Sequence, residues 1–149
     1  MHKGFTLLEL VVVMVIIGIL VSLGVPQYIT TVERGRATEG ISILGAIRGA
    51  QLRYYAQYVS YSRPSPACTF SSTENCGLDI GIGSLRFFSN PTTSTSANWL
   101  AFIARNSTFN PGFDNYTLGI AEGGGLCCSI PMGSSGNACN RLGITTACP

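Results

Sequence analysis

The chain has 149 residues, a formal net charge of +2, 46% hydrophobic residues and 11% charged ones, which leaves room for one ordinary domain and an N-terminal appendage. With so few charges and scattered arginines, it lacks the basic footprint of phosphate-mediated binding, and no specific nucleic-acid partner is expected. His2 is the sole histidine and Lys3 the sole lysine, so the rest of the chain lacks the usual general base, Schiff-base amine and commonest zinc ligand, and a non-enzymatic role without cofactor or metal is expected.

Residues 1–4 form a short basic flank, and an apolar run follows from Phe5 to Val25 with one acid, Glu9. As a helix, those residues span about 31 Å, close to the hydrocarbon thickness of a bilayer. His2 and Lys3 keep the N-terminus cytoplasmic under the positive-inside rule, so a single-pass membrane segment is expected, with the remainder outside. An ordinary signal peptide cut after Ser22-Leu23-Gly24 is one reading, and an uncut signal anchor is another. Gly18, Ser22, Gly24 and Pro26 punctuate the end of this segment, and kinking or local unwinding is expected there.

From residue 27 to about Val59 the pattern is amphipathic. Gly40, Ile43, Leu44, Ile47, Ala50, Gln51, Tyr54 and Tyr58 recur at helical spacing, while Glu33, Arg34, Arg36, Glu39, Arg48 and Arg53 largely fall on other faces. One long helix is therefore predicted over 5–59, hydrophobic in its first half (5–26) and amphipathic in its second (27–59). Arg63-Pro64-Ser65-Pro66 closes it.

Residues 60–149 read as a globular head. The stretch 60–98 is a long surface connection in which Cys68 and Cys76 stand close enough for a local clip. Pro91-Thr92-Thr93-Ser94-Thr95-Ser96 reads as an exposed flexible loop, with O-linked glycosylation as the functional alternative. Strand signals follow, weakly at Leu85–Phe88, then at Asn98–Arg105, Tyr116–Ala121 and Leu126–Ile130, with a turn at Gly123-Gly124-Gly125. That triplet lacks the lysine and hydroxyl residue of a phosphate loop. The tail from Pro131 shows little periodicity. The expected fold class is α+β: the long helix packed on a small antiparallel sheet, with disulfide-tied loops. Cys68, Cys76, Cys127, Cys128, Cys139 and Cys148 suit an oxidising compartment and up to three disulfides, with 15 possible pairings left open.

The stretch Lys3-Gly4-Phe5-Thr6-Leu7-Leu8-Glu9, joined to the apolar run, resembles the N-terminal signature of type IV pilins. The resemblance implies that a membrane-embedded prepilin peptidase cuts between Gly4 and Phe5 and methylates the new Phe5 amine, and that the apolar helix is retained. It also implies that Glu9 of one subunit pairs with the Phe5 amine of another in a helical homopolymer. Gly18 to Pro26 then becomes a compliant section of that helix. In this family the C-terminal region is closed by a disulfide. A bond between adjacent Cys127 and Cys128 is strained, so these two are expected to pair with Cys139 and Cys148, leaving Cys68 with Cys76.

The function implied is that of a structural pilus subunit. Its partners are other pilin subunits, the peptidase and the assembly machinery of the inner membrane, and it passes from that membrane to an extracellular fibre. A pseudopilin of a type II secretion system is the nearest alternative. It is disfavoured because the tail has no acid after Glu122 and four cysteines after Gly125, where major pseudopilins commonly carry a calcium loop. A secreted disulfide-rich domain is the third reading.

Overall fold

A computed structural model of the chain describes residues 4, 6–106, 115–131 and 137–149. His2, Lys3 and Phe5 lie outside the described residues. Helix α1 runs from Leu7 to Tyr58, 52 residues, and contains Pro26. The expected unwinding between Gly18 and Pro26 is not observed. Proline deletes one bond of the ladder, and in a helix this long the cooperative propagation on both sides carries the chain across the gap. Hydroxyls support the same region: Ser22 donates to the Ile19 carbonyl, Thr30 to that of Pro26 and Thr31 to that of Gln27. The helix stops one residue before the expected Val59, which adopts a left-handed conformation and donates its N–H to the Tyr55 carbonyl.

Four strands follow in a meander: β1 (Thr92–Thr93), β2 (Trp99–Ala104), β3 (Thr117–Ala121) and β4 (Leu126–Ser129), each antiparallel to the next. Gly124, at a φ of +88°, makes the turn between β3 and β4. A short helix α2 (Ala138–Leu142) comes last.

Three expectations need correction. Leu85–Phe88 is not a strand, because its backbone is already committed: the Glu39 carboxylate accepts the N–H groups of Arg86 and Phe87, and only Phe88 forms a single bridge, to Arg105. The first strand instead comes from the Ser/Thr-rich piece. Pro91, Thr93 and Ser94 are buried, and the Thr93 hydroxyl both accepts the Cys68 N–H and donates to the Cys68 carbonyl, which satisfies it without water. Only Thr95 and Ser96 of that piece match the exposed loop. Finally, the tail read as aperiodic contains α2, a single turn and a half whose period is too short to register.

The core lies between α1 and the sheet. Leu44, Ile47 and Ala50 of α1 meet Leu100, Ala101 and Ile103 of β2 and Leu118 and Ile120 of β3. The long connection contributes Phe70, Leu78, Ile82 and Phe88 to it, so it closes the core and does not merely cross the surface. At about 1.5 to 3 kcal/mol for each large side chain fully buried, this layer is what holds α1 to the head.

Candidate functional site

Thr6 is the N-cap of α1. Its hydroxyl accepts the Glu9 N–H at 3.2 Å, while the Glu9 carboxylate, through Oε2, accepts the Thr6 N–H at 2.9 Å and the Thr6 hydroxyl at 2.8 Å. This is a reciprocal capping box, and it satisfies amide donors that the first helical turn leaves without partners. The pattern Thr6-x-x-Glu9 was the signal for it in the sequence. Among the described residues, Oε1 of Glu9 accepts no hydrogen bond. The acid therefore already has local work at the helix tip. Gly4 is exposed next to it; the cut at Phe5, its methylation and its charge pair with Glu9 fall on Phe5, outside the described residues.

Beyond the cap, the large apolar side chains from Leu7 to Val25 all stand exposed, from Leu7 at 83% to Val25 at 48%. An apolar surface this extensive is not left to water in a stable soluble monomer; it marks a lipid or protein contact. The helix is long and apolar enough there to cross a membrane. Gly18 and Gly24 lie within this surface, and a side chain added at either would meet nothing.

The second half of α1 is fixed to the head by polar groups as well as by its apolar stripe. Glu33 is fully buried and accepts from the guanidinium of Arg105, from the Tyr116 hydroxyl at 3.1 Å and from Arg36 at 3.3 Å. Arg105, also buried, donates in addition to the carbonyls of Phe87 and Asn106. Burial first, and the adjacent Glu33 charge second, push the Tyr116 phenol well above the ordinary tyrosine range. Further along, Arg48 donates to the Glu122 carbonyl, and Gln51 is held twice by Ser62, donating to its carbonyl and accepting its N–H, both at 2.8 Å. Arg53 forms a two-pronged ion pair with Asp79, which lowers the carboxyl and raises the guanidinium from their usual values. Glu33 and Glu39, read from their charge as belonging to other faces, are thus docking groups.

The family described as the prokaryotic N-terminal methylation motif matches residues 1–25. Among curated proteins, the chain is 35% identical over 74 residues to fimbrial protein EcpC of Eikenella corrodens, covering 50% of this chain and 48% of that protein. It is 42% identical over 48 residues to the type IV major fimbrial protein FimA of Dichelobacter nodosus, 32% of this chain and 30% of the relative. Against the type IV major pilin protein PilE1 of Neisseria gonorrhoeae it is 33% identical over 67 residues, 45% and 31% respectively. The chain carries the N-terminal methylation motif and is similar to type IV fimbrial and pilin proteins over its N-terminal part. The matches span about half the length of the first of these relatives and less than a third of the other two. No solved structure matches the chain.

In this chain the head is closed by three disulfides: Cys68–Cys76, Cys127–Cys148 and Cys128–Cys139. Adjacent residues of a strand point to opposite faces. Cys128 accordingly enters the core with Ala138, while Cys127, paired with Gly119 across β3 and β4, lies on the other face of the sheet. The two bonds tie α2 and the last residues to both sides of β4. Cys68, Glu74 and Cys76 come together closely enough to suggest a metal centre, but the two sulfurs are bonded to each other and offer no thiolate.

Proposed function

We propose that this chain is a type IV pilin, a structural subunit of a type IV pilus, inserted in the inner membrane as a precursor with its N-terminus cytoplasmic, cut after Gly4, methylated on Phe5 and polymerised through α1. The observation that carries this reading is the exposed apolar surface of Leu7–Val25, projecting from a disulfide-closed head in a chain with the methylation motif. Its partners are further copies of itself, prepilin peptidase and the assembly machinery of the inner membrane. Names of the relatives, fimbrial and pilin proteins, support a pilus over a type II secretion pseudopilin.

In the fibre, the Phe5 amine of one subunit meets Glu9 of the next. A carboxylate placed among apolar helices is costly and is retained where it has a partner. Because Thr6 engages Oε2 alone, Oε1 can take the amine without dismantling the cap. Each subunit then offers both halves of a head-to-tail contact, which does not close and so extends into a helix. The Gly18, Ser22, Gly24 and Pro26 section is the part of α1 that yields when subunits pack, since glycine and proline make it the cheapest stretch to unwind. Electron microscopy of sheared surface filaments from wild-type and deletion strains, with mass spectrometry of the subunit, tests the reading. Loss of filaments on deletion and a subunit starting at methylated Phe5 support it, and a mature protein starting at Val25 refutes it.

A further inference from the structure

The last turns of α1 carry Arg53, Tyr54, Gln57 and Tyr58, and together with Gly77 and Asp79 they line a shallow groove of about 140 Å³. Its two walls are fixed independently. On the helix side, Tyr54 packs against the core and its ring meets that of Tyr58, 4.5 Å between centroids and tilted by 35°. Tyr58 is 62% exposed, so it stands as a braced aromatic face open to solvent. On the loop side, Cys76 and Leu78 are buried on either side of Gly77, and the Cys68–Cys76 bond ties the first of them. Gly77, at a φ of +75°, turns the backbone between these two anchors. Walls held in advance reduce the ordering cost of taking a ligand.

Charge decides the kind of ligand. Arg53 and Asp79 bridge helix and loop through Nε at 2.7 Å and Nη2 at 2.9 Å and neutralise each other. Neither a cation nor an anion therefore finds an unpaired counter-charge here. The pair is nevertheless wet, with side chains 57% and 62% exposed, so carboxylate oxygen and guanidinium N–H are offered side by side. The Gln57 amide next to them has no hydrogen-bond partner among the described residues. Donors and acceptors beside an aromatic face match a hydroxylated ring: its hydroxyls meet the polar groups, while its axial C–H groups, slightly positive, lie on the electron-rich face of the tyrosine. The groove is smaller than the roughly 300 to 1,000 Å³ that encloses a drug-sized ligand, so it takes one ring, the terminal residue of a longer chain. From Val25 to Arg53 the helix rises by roughly 40 Å, and burying the apolar segment in lipid or in a fibre core does not by itself cover the groove.

We propose that this groove binds the terminal uncharged pyranose of a glycan, with Tyr58 stacked on the sugar ring and Gln57, Asp79 and Arg53 holding its hydroxyls.

The test is saturation-transfer difference NMR of the full chain in a polyoxyethylene detergent, which brings neither sugar nor cation. The probes are methyl β-galactopyranoside and methyl β-glucopyranoside, with a methyl sialoside and choline as charged competitors. Wild type should transfer saturation to at least one neutral pyranoside, most strongly to the C–H protons of its apolar face, and neither competitor should displace it. Tyr58→Ala should cut the transfer by about fivefold or more, as truncation of an anchoring aromatic does. Gln57→Ala should weaken it less. Both side chains are exposed, so neither change endangers the fold. Tyr55→Ala removes an exposed tyrosine that stacks on Tyr61 outside the groove, and it should keep the transfer. No transfer to either pyranoside in wild type overturns the proposal, and so does equal transfer in Tyr58→Ala. An equal loss in Tyr55→Ala overturns it as well, by making the contact one with any exposed tyrosine. Displacement by choline would make the occupant a cation and displacement by the sialoside an acidic sugar, and either result refutes the neutral ligand.

Discussion

Replacing Glu33 with alanine should be among the most damaging single changes available in the head. The carboxylate is fully buried, and its removal leaves the Arg105 guanidinium, 7% exposed, beside an empty site and without its counter-charge. Tyr116 and Arg36 lose the same acceptor. Breaking a buried ion pair by deleting one partner costs about 3 to 5 kcal/mol. For a chain of this size about 1 kcal/mol moves Tm by roughly 4 °C, so Glu33→Ala should lower it by about 10 to 20 °C. Removing both charges together, as Glu33→Leu with Arg105→Met, should recover at least half of the loss, because a well-packed apolar pair carries no desolvation debt. The assay is thermal unfolding of the full chain in detergent, disulfides intact, followed by near-ultraviolet circular dichroism, for which Trp99 is the single tryptophan. A fall in Tm of less than about 4 °C for Glu33→Ala, or a double variant that loses the sum of the two singles, refutes the reasoning.

The phenol of Tyr116 holds its proton above the ordinary range, so its contribution to stability is complete below the unfolded value of about 10 and is lost as pH rises beyond it. Tyr116→Phe should therefore move the alkaline unfolding midpoint upward, read by tyrosinate absorbance together with circular dichroism; an unchanged midpoint counts against the assignment. A Cβ added at Gly119 would stand 2.5 Å from the Phe102 ring and 2.7 Å from the Cys127 sulfur. Gly119→Ala should thus cost about 1 to 3 kcal/mol by overpacking, with partial rescue by Phe102→Ala; wild-type stability in the single variant would show that the sheet yields more easily than its disulfide suggests. Glu9→Leu as the sole subunit should insert in the membrane and fold its head but yield no filaments in electron micrographs, and normal filaments would remove the charge pair from the assembly mechanism.

Much of the fold was legible because α1 obeys a simple period, and its misreadings are instructive for the same reason. The buried positions Glu33, Ala37, Gly40, Leu44, Ile47 and Gln51 form one continuous stripe at three- and four-residue steps, but the stripe begins with an acid and ends with an amide. The amphipathic spacing already includes Gln51, but reading polarity as exposure cuts the stripe short at its N-terminal end, where extending the spacing one turn back from Ala37 lands on Glu33. What sequence could not supply was the partner, since Arg105 and Tyr116 reach Glu33 only once the sheet has paired. β1 was hidden for a related reason: threonines in a low-complexity piece look solvated until the Cys68 backbone is there to satisfy them.

The helix tip shows the opposite case, in which the missing information was local. Thr6-Leu7-Leu8-Glu9 is a capping box in four letters, and it changes what Glu9 means. A carboxylate kept only for an intersubunit pair would be an unsupported charge during membrane insertion. Under the proposed pairing, one already held by Thr6 would reach the fibre ordered and with one oxygen engaged, so that assembly would add a single contact to a formed geometry. Thr6→Ala then separates the two roles. It should cost the helix start about 0.5 to 2 kcal/mol and slow filament growth, while leaving the Glu9 charge and hence assembly itself in place. Filament number per cell, counted beside Glu9→Leu, decides the matter: Thr6→Ala as defective as Glu9→Leu would mean that the cap, not the charge, is what the incoming subunit requires.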